Sequence, residues 1–145
     1  MVTALQFVVF SVYLLFVYKR FEILESISHS TYEWNEPYLF TLMCWSLAVL
    51  NLLQGMEGWG VLTSAGLMFA GITVDWMNTG GWLHFIGAVT AIVSAFVGVF
   101  VMYGIWLPFA IFVVIATLTY LNKVNWLWWV EVQAFMLILI SYLLR

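Results

Sequence analysis

Two histidines, seven acidic residues and a single cysteine supply most of the proton-exchanging and metal-ligating chemistry of this chain. Glu131 stands inside the apolar run Trp126–Leu144. An ionisable group at that depth costs several kcal/mol in lipid unless it is paired, protonated or wet, so it is read as functional. His84 opens a second apolar run, and Asp75 and Asn78 lie just before it. Ser28, His29 and Tyr32 form a polar cluster after the first apolar run. Glu131, His84 and Asp75 in a wet cavity would exchange protons or bind a cation, with Ser28, His29, Tyr32 and Asn78 as supporting polar groups. The same His84, Asp75 and Glu131 offer imidazole and carboxylate ligands to zinc or another divalent cation. No HExxH, HxxxH or CxxC pair is present to make that signal specific. Ser28 or Ser30 with His84 and Asp75 would be the elements of a nucleophilic hydrolase.

These residues need elements that bring them together, and the composition says what those are. Of the 145 residues, 66% are hydrophobic and 19% aromatic, against only 8% charged. A soluble domain carries about 25% charged residues, so the solvent expected for most of this chain is the lipid bilayer. A net charge of −3 without a basic block argues against nucleic acid. Cys44 cannot form an internal disulfide and reads as a small packing residue. No Lys or Arg precedes the first apolar run, which therefore reads as a retained span rather than a signal peptide.

Hydropathy predicts an all-α integral membrane bundle of six short transmembrane helices, forming one domain over residues 1–145. The spans fall at about 3–18, 37–54, 59–76, 82–103, 107–121 and 126–144. Residues 82–121 as one helix would be about 60 Å long, twice the hydrocarbon thickness, so the run must turn back near Gly104 and Pro108. Trp34, Trp59, Trp76, Trp82, Trp106 and Trp126 fall at span ends, where such rings settle at the headgroup level. Lys19, Arg20 and Lys123 lie in odd-numbered loops, which predicts those loops in the cytoplasm and both termini outside it.

With six spans, loops one, three and five share one end, so Ser28, His29, Asp75, Asn78, His84 and Glu131 converge there. Gly87, Ala91, Ala95 and Gly98 make a small-residue stripe on the fourth span, and His84 sits one turn before it, facing inward. Gly66 and Ala70 form a similar pair on the third span, while Thr41, Cys44, Ala48 and Asn51 share a face of the second.

Three segments carry a resemblance: Ile27-Ser28-His29-Ser30-Thr31-Tyr32, His84-Phe85-Ile86-Gly87-Ala88 and Trp129-Val130-Glu131-Val132-Gln133-Ala134-Phe135. Together they resemble a group of small uncharacterised multi-pass membrane proteins of bacteria and their phages. The likeness implies a bacterial inner membrane and puts Ser28, Tyr32, His84 and Glu131 at recurring polar positions, but implies no activity. More distantly the chain is similar to the membrane hydrolase superfamily that includes alkaline ceramidases, which hold zinc with three His plus Ser and Asp. With two His and no paired-His motif in its last span, this chain would need a substitute ligand such as Glu131. Proton or cation handling, as a channel or transporter, is the leading expectation. A metal-dependent lipid hydrolase and a non-catalytic module docking to another membrane protein or a second copy are the alternatives.

Overall fold

In the computed structural model the described residues are 1–33, 38–55, 57–72, 81–122 and 125–144, without the side chains of Tyr32 and Glu57. Among them the chain is all-helical: α1 (Val2–Phe21), the single turn α2 (Ser30–Glu33), α3 (Tyr38–Leu52), α4 (Glu57–Gly71), α5 (Trp82–Tyr103), α6 (Leu107–Asn122) and α7 (Trp126–Leu143). The six longer helices fall on the six hydropathy runs. Three of them, α1, α5 and α7, are long and apolar enough to cross a membrane, and α3 and α6 are shorter apolar helices.

The helix ends have local causes. Gly104 takes the left-handed conformation at φ 68°, and its N–H closes α5 on the Phe100 carbonyl at 2.8 Å. Glycine meets no Cβ penalty there. Pro108 then lies in the first turn of α6, where a missing N–H costs no helical bond. Asn125 adopts φ 41° before α7, a conformation asparagine tolerates better than most residues. The expected second-span start at Asn35-Glu36-Pro37 and the end of the third span near Trp76 lie outside the described residues.

Packing arranges five helices in a closed ring. Helix α3 packs on α1 and α4, α4 on α5, and α7 joins α5 back to α1. Helix α6 stands outside the ring against α7, with Phe109 and Phe112 on Phe96 of α5 at 5.6 and 5.2 Å between ring centroids. The closest approach is between α4 and α5, where the two predicted small-residue faces meet each other. A Cβ added to Gly66 would lie 2.5 Å from the Ala91 nitrogen, and one added to Gly87 would lie 2.6 Å from that of Ala70.

Polarity runs inside out compared with a water-soluble bundle. Gln6, Asn51, Thr63, Ser64, Ser94 and Ser141 are buried, while Val8, Val12 and Leu15 of α1, Phe85 and Val93 of α5, and Val114 and Leu118 of α6 are exposed. Apolar surface of that extent suits lipid rather than water. Most of these buried polar groups are paired between helices, while Ser141 bonds the Leu137 carbonyl of its own helix. Asn51 donates to the Gly60 carbonyl at 2.9 Å and to Ser64 at 3.1 Å, and accepts from the Tyr142 hydroxyl at 3.1 Å. One side chain thus ties α3 to α4 and α7. Such bonds contribute about 0.6 kcal/mol each in lipid, so they fix register more than they supply stability.

Candidate functional site

The site begins where the first loop meets α7. The Trp128 N–H, in the opening turn of α7, donates to the Glu25 carbonyl at 3.0 Å, and the Asn125 amide reaches the Ile23 carbonyl at 3.4 Å. This backbone pairing brings loop one over the end of the ring. From Ser26 the loop coils tightly, with His29, Ser30 and Thr31 N–H groups donating to the carbonyls of Ser26, Ile27 and Ser28 at 3.1–3.2 Å. The Ser26 hydroxyl accepts from the His29 N–H at 3.0 Å as a cap. Such a coil leaves its first amides without a partner inside the turn. Glu131, one turn into α7 from Trp128, supplies it: its Oε2 accepts from the Ile27 N–H at 2.5 Å, and the Ser28 N–H also faces the carboxylate.

Ile27 is 1% exposed and its side chain forms part of a cavity wall. Beside it the Ser30 hydroxyl donates to the Ile27 carbonyl at 2.6 Å, so Tyr13 of α1 is the donor in its 2.6 Å bond to Ser30. Loop one is therefore held from two helices, by Glu131 of α7 and Tyr13 of α1.

Below Ile27 lies a cavity of about 70 Å³, walled by all five ring helices and by no residue of α6. That is room for a few waters. Its near end carries Glu131, His84, Cys44 and Phe40, and its far end Gln6, Asn51, Thr63 and Tyr142. Glu131 and Tyr142 are eleven residues apart on α7, about 16 Å at the helical rise, or half the hydrocarbon thickness. His84 faces inward as its place on the small-residue stripe predicts. Its Nδ1 bonds the Ala70 carbonyl at 2.8 Å and its ring lies 5.9 Å from that of Phe40. A carbonyl only accepts, so Nδ1 carries the proton and Nε2 is the basic nitrogen of the neutral ring.

The predicted residues thus divide. Glu131 and His84 share one cavity wall, each with its own backbone partner, Ile27 and Ala70 respectively. Ser28 contributes through its backbone, while its hydroxyl bonds Ser26 at 3.0 Å. His29 is at the surface between Glu25 and Glu33, with ring nitrogens 3.9 and 3.5 Å from their carboxylates, and is not a cavity residue. Asp75, Asn78 and the Tyr32 side chain lie outside the described residues. Among the described residues no three His, Cys, Asp or Glu come together as a metal-holding group. Of the expected metal set only His84 and Glu131 are among the described residues, and the Ser28 and Ser30 hydroxyls bond Ser26 and Tyr13.

Four site residues lay outside the predicted set. Gln6 and Tyr13 fall on the buried stripe Thr3, Gln6, Phe10, Tyr13 and Val17 of α1, a polar signal within an apolar span. Asn51 shares a face of the second span with Thr41, Cys44 and Ala48, and Tyr142 was not singled out; their mutual bond shows only in three dimensions. Comparison of the chain with family models, with characterised proteins and with solved structures finds no match. The functional reading therefore rests on this geometry.

Proposed function

We propose that the chain is a six-span integral membrane protein that handles protons or small cations through the cavity inside its five-helix ring. The observation that carries this reading is the cavity wall. A carboxylate and an imidazole stand at one end, and amide and hydroxyl groups stand about three helical turns away. The sequence offered only scattered polar groups in that half of the bundle. The ring joins Gln6, Asn51 and Tyr142 to the same space as Glu131, so polar groups stand at both ends of a mostly apolar wall. Ile27, latched by Glu131, closes the near end, so movement of loop one would control access.

Six spans are supported by the six hydropathy runs and by the pairing of loop one with the start of α7, which requires an even number of crossings between them. In this reading both termini lie outside the cytoplasm of a bacterial inner membrane, with Lys19, Arg20 and Lys123 within it. In a Cys44→Ser background, Glu25→Cys and Asn122→Cys are expected to react with a membrane-impermeant thiol reagent from one side. Leu53→Cys and Trp106→Cys should react only from the other. Labelling of Glu25→Cys and Asn122→Cys from opposite faces would overturn the topology.

The activity is tested on the purified full-length chain in liposomes. Under an imposed diffusion potential, ion entry is expected to rise at least about tenfold over protein-free vesicles. Entry equal to that of empty vesicles would overturn the proposal.

A further inference from the structure

We propose that the ion handled by this cavity is the proton, and that sodium and potassium are excluded. This rests on the reading of the cavity as an ion path. The argument turns on what each ion demands of the wall. A dehydrated metal cation is held by about six oxygens or by a ring of carbonyls or acids. Here the oxygen-bearing side chains on the wall are Gln6, Asn51, Thr63, Glu131 and Tyr142, divided between the two ends of the cavity, and each already makes a hydrogen bond. Gln6 Oε1 accepts from Gln54, and Asn51 Oδ1 accepts from Tyr142. Thr63 bonds the Trp59 carbonyl and Ser94 at 2.9 Å each, and Glu131 Oε2 holds the Ile27 N–H. Apart from His84 and Cys44, the rest of the wall is Phe40, Leu47, Leu67, Ile92, Phe135 and similar apolar groups. A bare cation there would lose its hydration and gain no coordination shell in return.

The proton needs none of this. It binds the Glu131 carboxylate as an O–H bond and leaves a neutral acid, so the near end holds it without a shell of oxygen ligands. The carboxyl still accepts from the Ile27 N–H through its carbonyl oxygen, and the O–H bond breaks when the proton passes to a water, which becomes hydronium as the carboxylate is restored. A few waters fit in about 70 Å³. At the far end Gln54 Oε1 is buried without a protein partner among the described residues, an acceptor beyond Gln6 for such a chain. Among the described residues the other titratable groups facing Glu131 are Tyr13 of α1 and Cys44 of α3, with His84 of α5 on the same wall.

The test uses the full chain in liposomes loaded with a pH-sensitive dye, beside parallel vesicles receiving radioactive sodium or rubidium. Proton entry is expected to stay within about twofold when external potassium is replaced by N-methylglucamine, with tracer entry equal to that of empty vesicles. Tracer entry above that of empty vesicles, or proton entry that requires sodium or potassium, would overturn the proton assignment and leave the ion-path reading standing. Absence of both proton and tracer entry would overturn the two together.

Discussion

Glu131→Gln is expected to lower proton entry by at least about tenfold while the bundle stays folded. The two effects separate because the proposed proton role of Glu131 and its anchoring of loop one make different demands on the carboxylate. As an anchor it needs an acceptor oxygen for the Ile27 and Ser28 N–H groups, and a glutamine amide oxygen can serve. As a proton carrier it needs an oxygen that gains and loses a proton, which an amide does not provide at any physiological pH. The stability of Glu131→Gln is therefore expected within about 1 kcal/mol of the parent, the scale of one charged hydrogen bond exchanged for a neutral one. Glu131→Ala removes both functions. It leaves buried loop amides without an acceptor, at about 1–3 kcal/mol for each group. Thermal unfolding in detergent, read beside dye-reported proton entry, distinguishes the roles. Entry that tracks stability across the pair would make Glu131 an anchor only. Full entry in Glu131→Gln would remove it from the proton path.

Much of this arrangement was legible in the sequence because lipid imposes simple rules. The break at Gly104 followed from the length of the 82–121 run, and the structure places a left-handed cap at that residue. The small-residue faces at Gly66 and Ala70 and at Gly87 and Ala91 followed from three- and four-residue spacing, and the structure packs the two against each other. The same spacing turned His84 inward. What the sequence did not show is how polar groups find one another across helices. Asn51 and Tyr142 are 91 residues apart in the chain, and nothing in either segment names the other. The partner of Glu131 was equally hidden. His84 looked like its neighbour because both are titratable, but the carboxylate is taken by backbone amides of loop one, and backbone donors leave no trace in residue type. His29 shows the converse: its side chain is chemically apt, yet the (i, i+4) geometry with Glu25 and Glu33 keeps it beside two surface carboxylates.

The α4–α5 contact is expected to be the most sensitive point of the fold, and Gly66→Ala is the variant that reports it. A single added methyl would lie 2.5 Å from the Ala91 nitrogen, 2.7 Å from the Gly87 carbonyl oxygen and 2.9 Å from the Ala91 Cα. All three are backbone atoms of the facing helix, so no rotamer change relieves the clash. The helices must part, and overpacking of this kind costs about 1–3 kcal/mol. Gly66→Leu should exceed that range and prevent the ring from closing. The damage reaches the site because Ala70 is one turn along α4 from Gly66, and its carbonyl holds His84 Nδ1 at 2.8 Å. Separation of α4 from α5 therefore releases the imidazole as it opens the cavity wall. Gly58→Ala on the same helix is the matched control: a Cβ there meets nothing within 4 Å. Its expected effect is neutral to slightly stabilising, since alanine is favoured over glycine in a helix by up to about 1 kcal/mol. Unfolding midpoints in detergent should thus move in one direction for Gly66→Ala and stay or rise for Gly58→Ala. Equal midpoints for the two variants would mean that α4 and α5 do not approach through Gly66, and the ring that forms the cavity would have to be drawn differently.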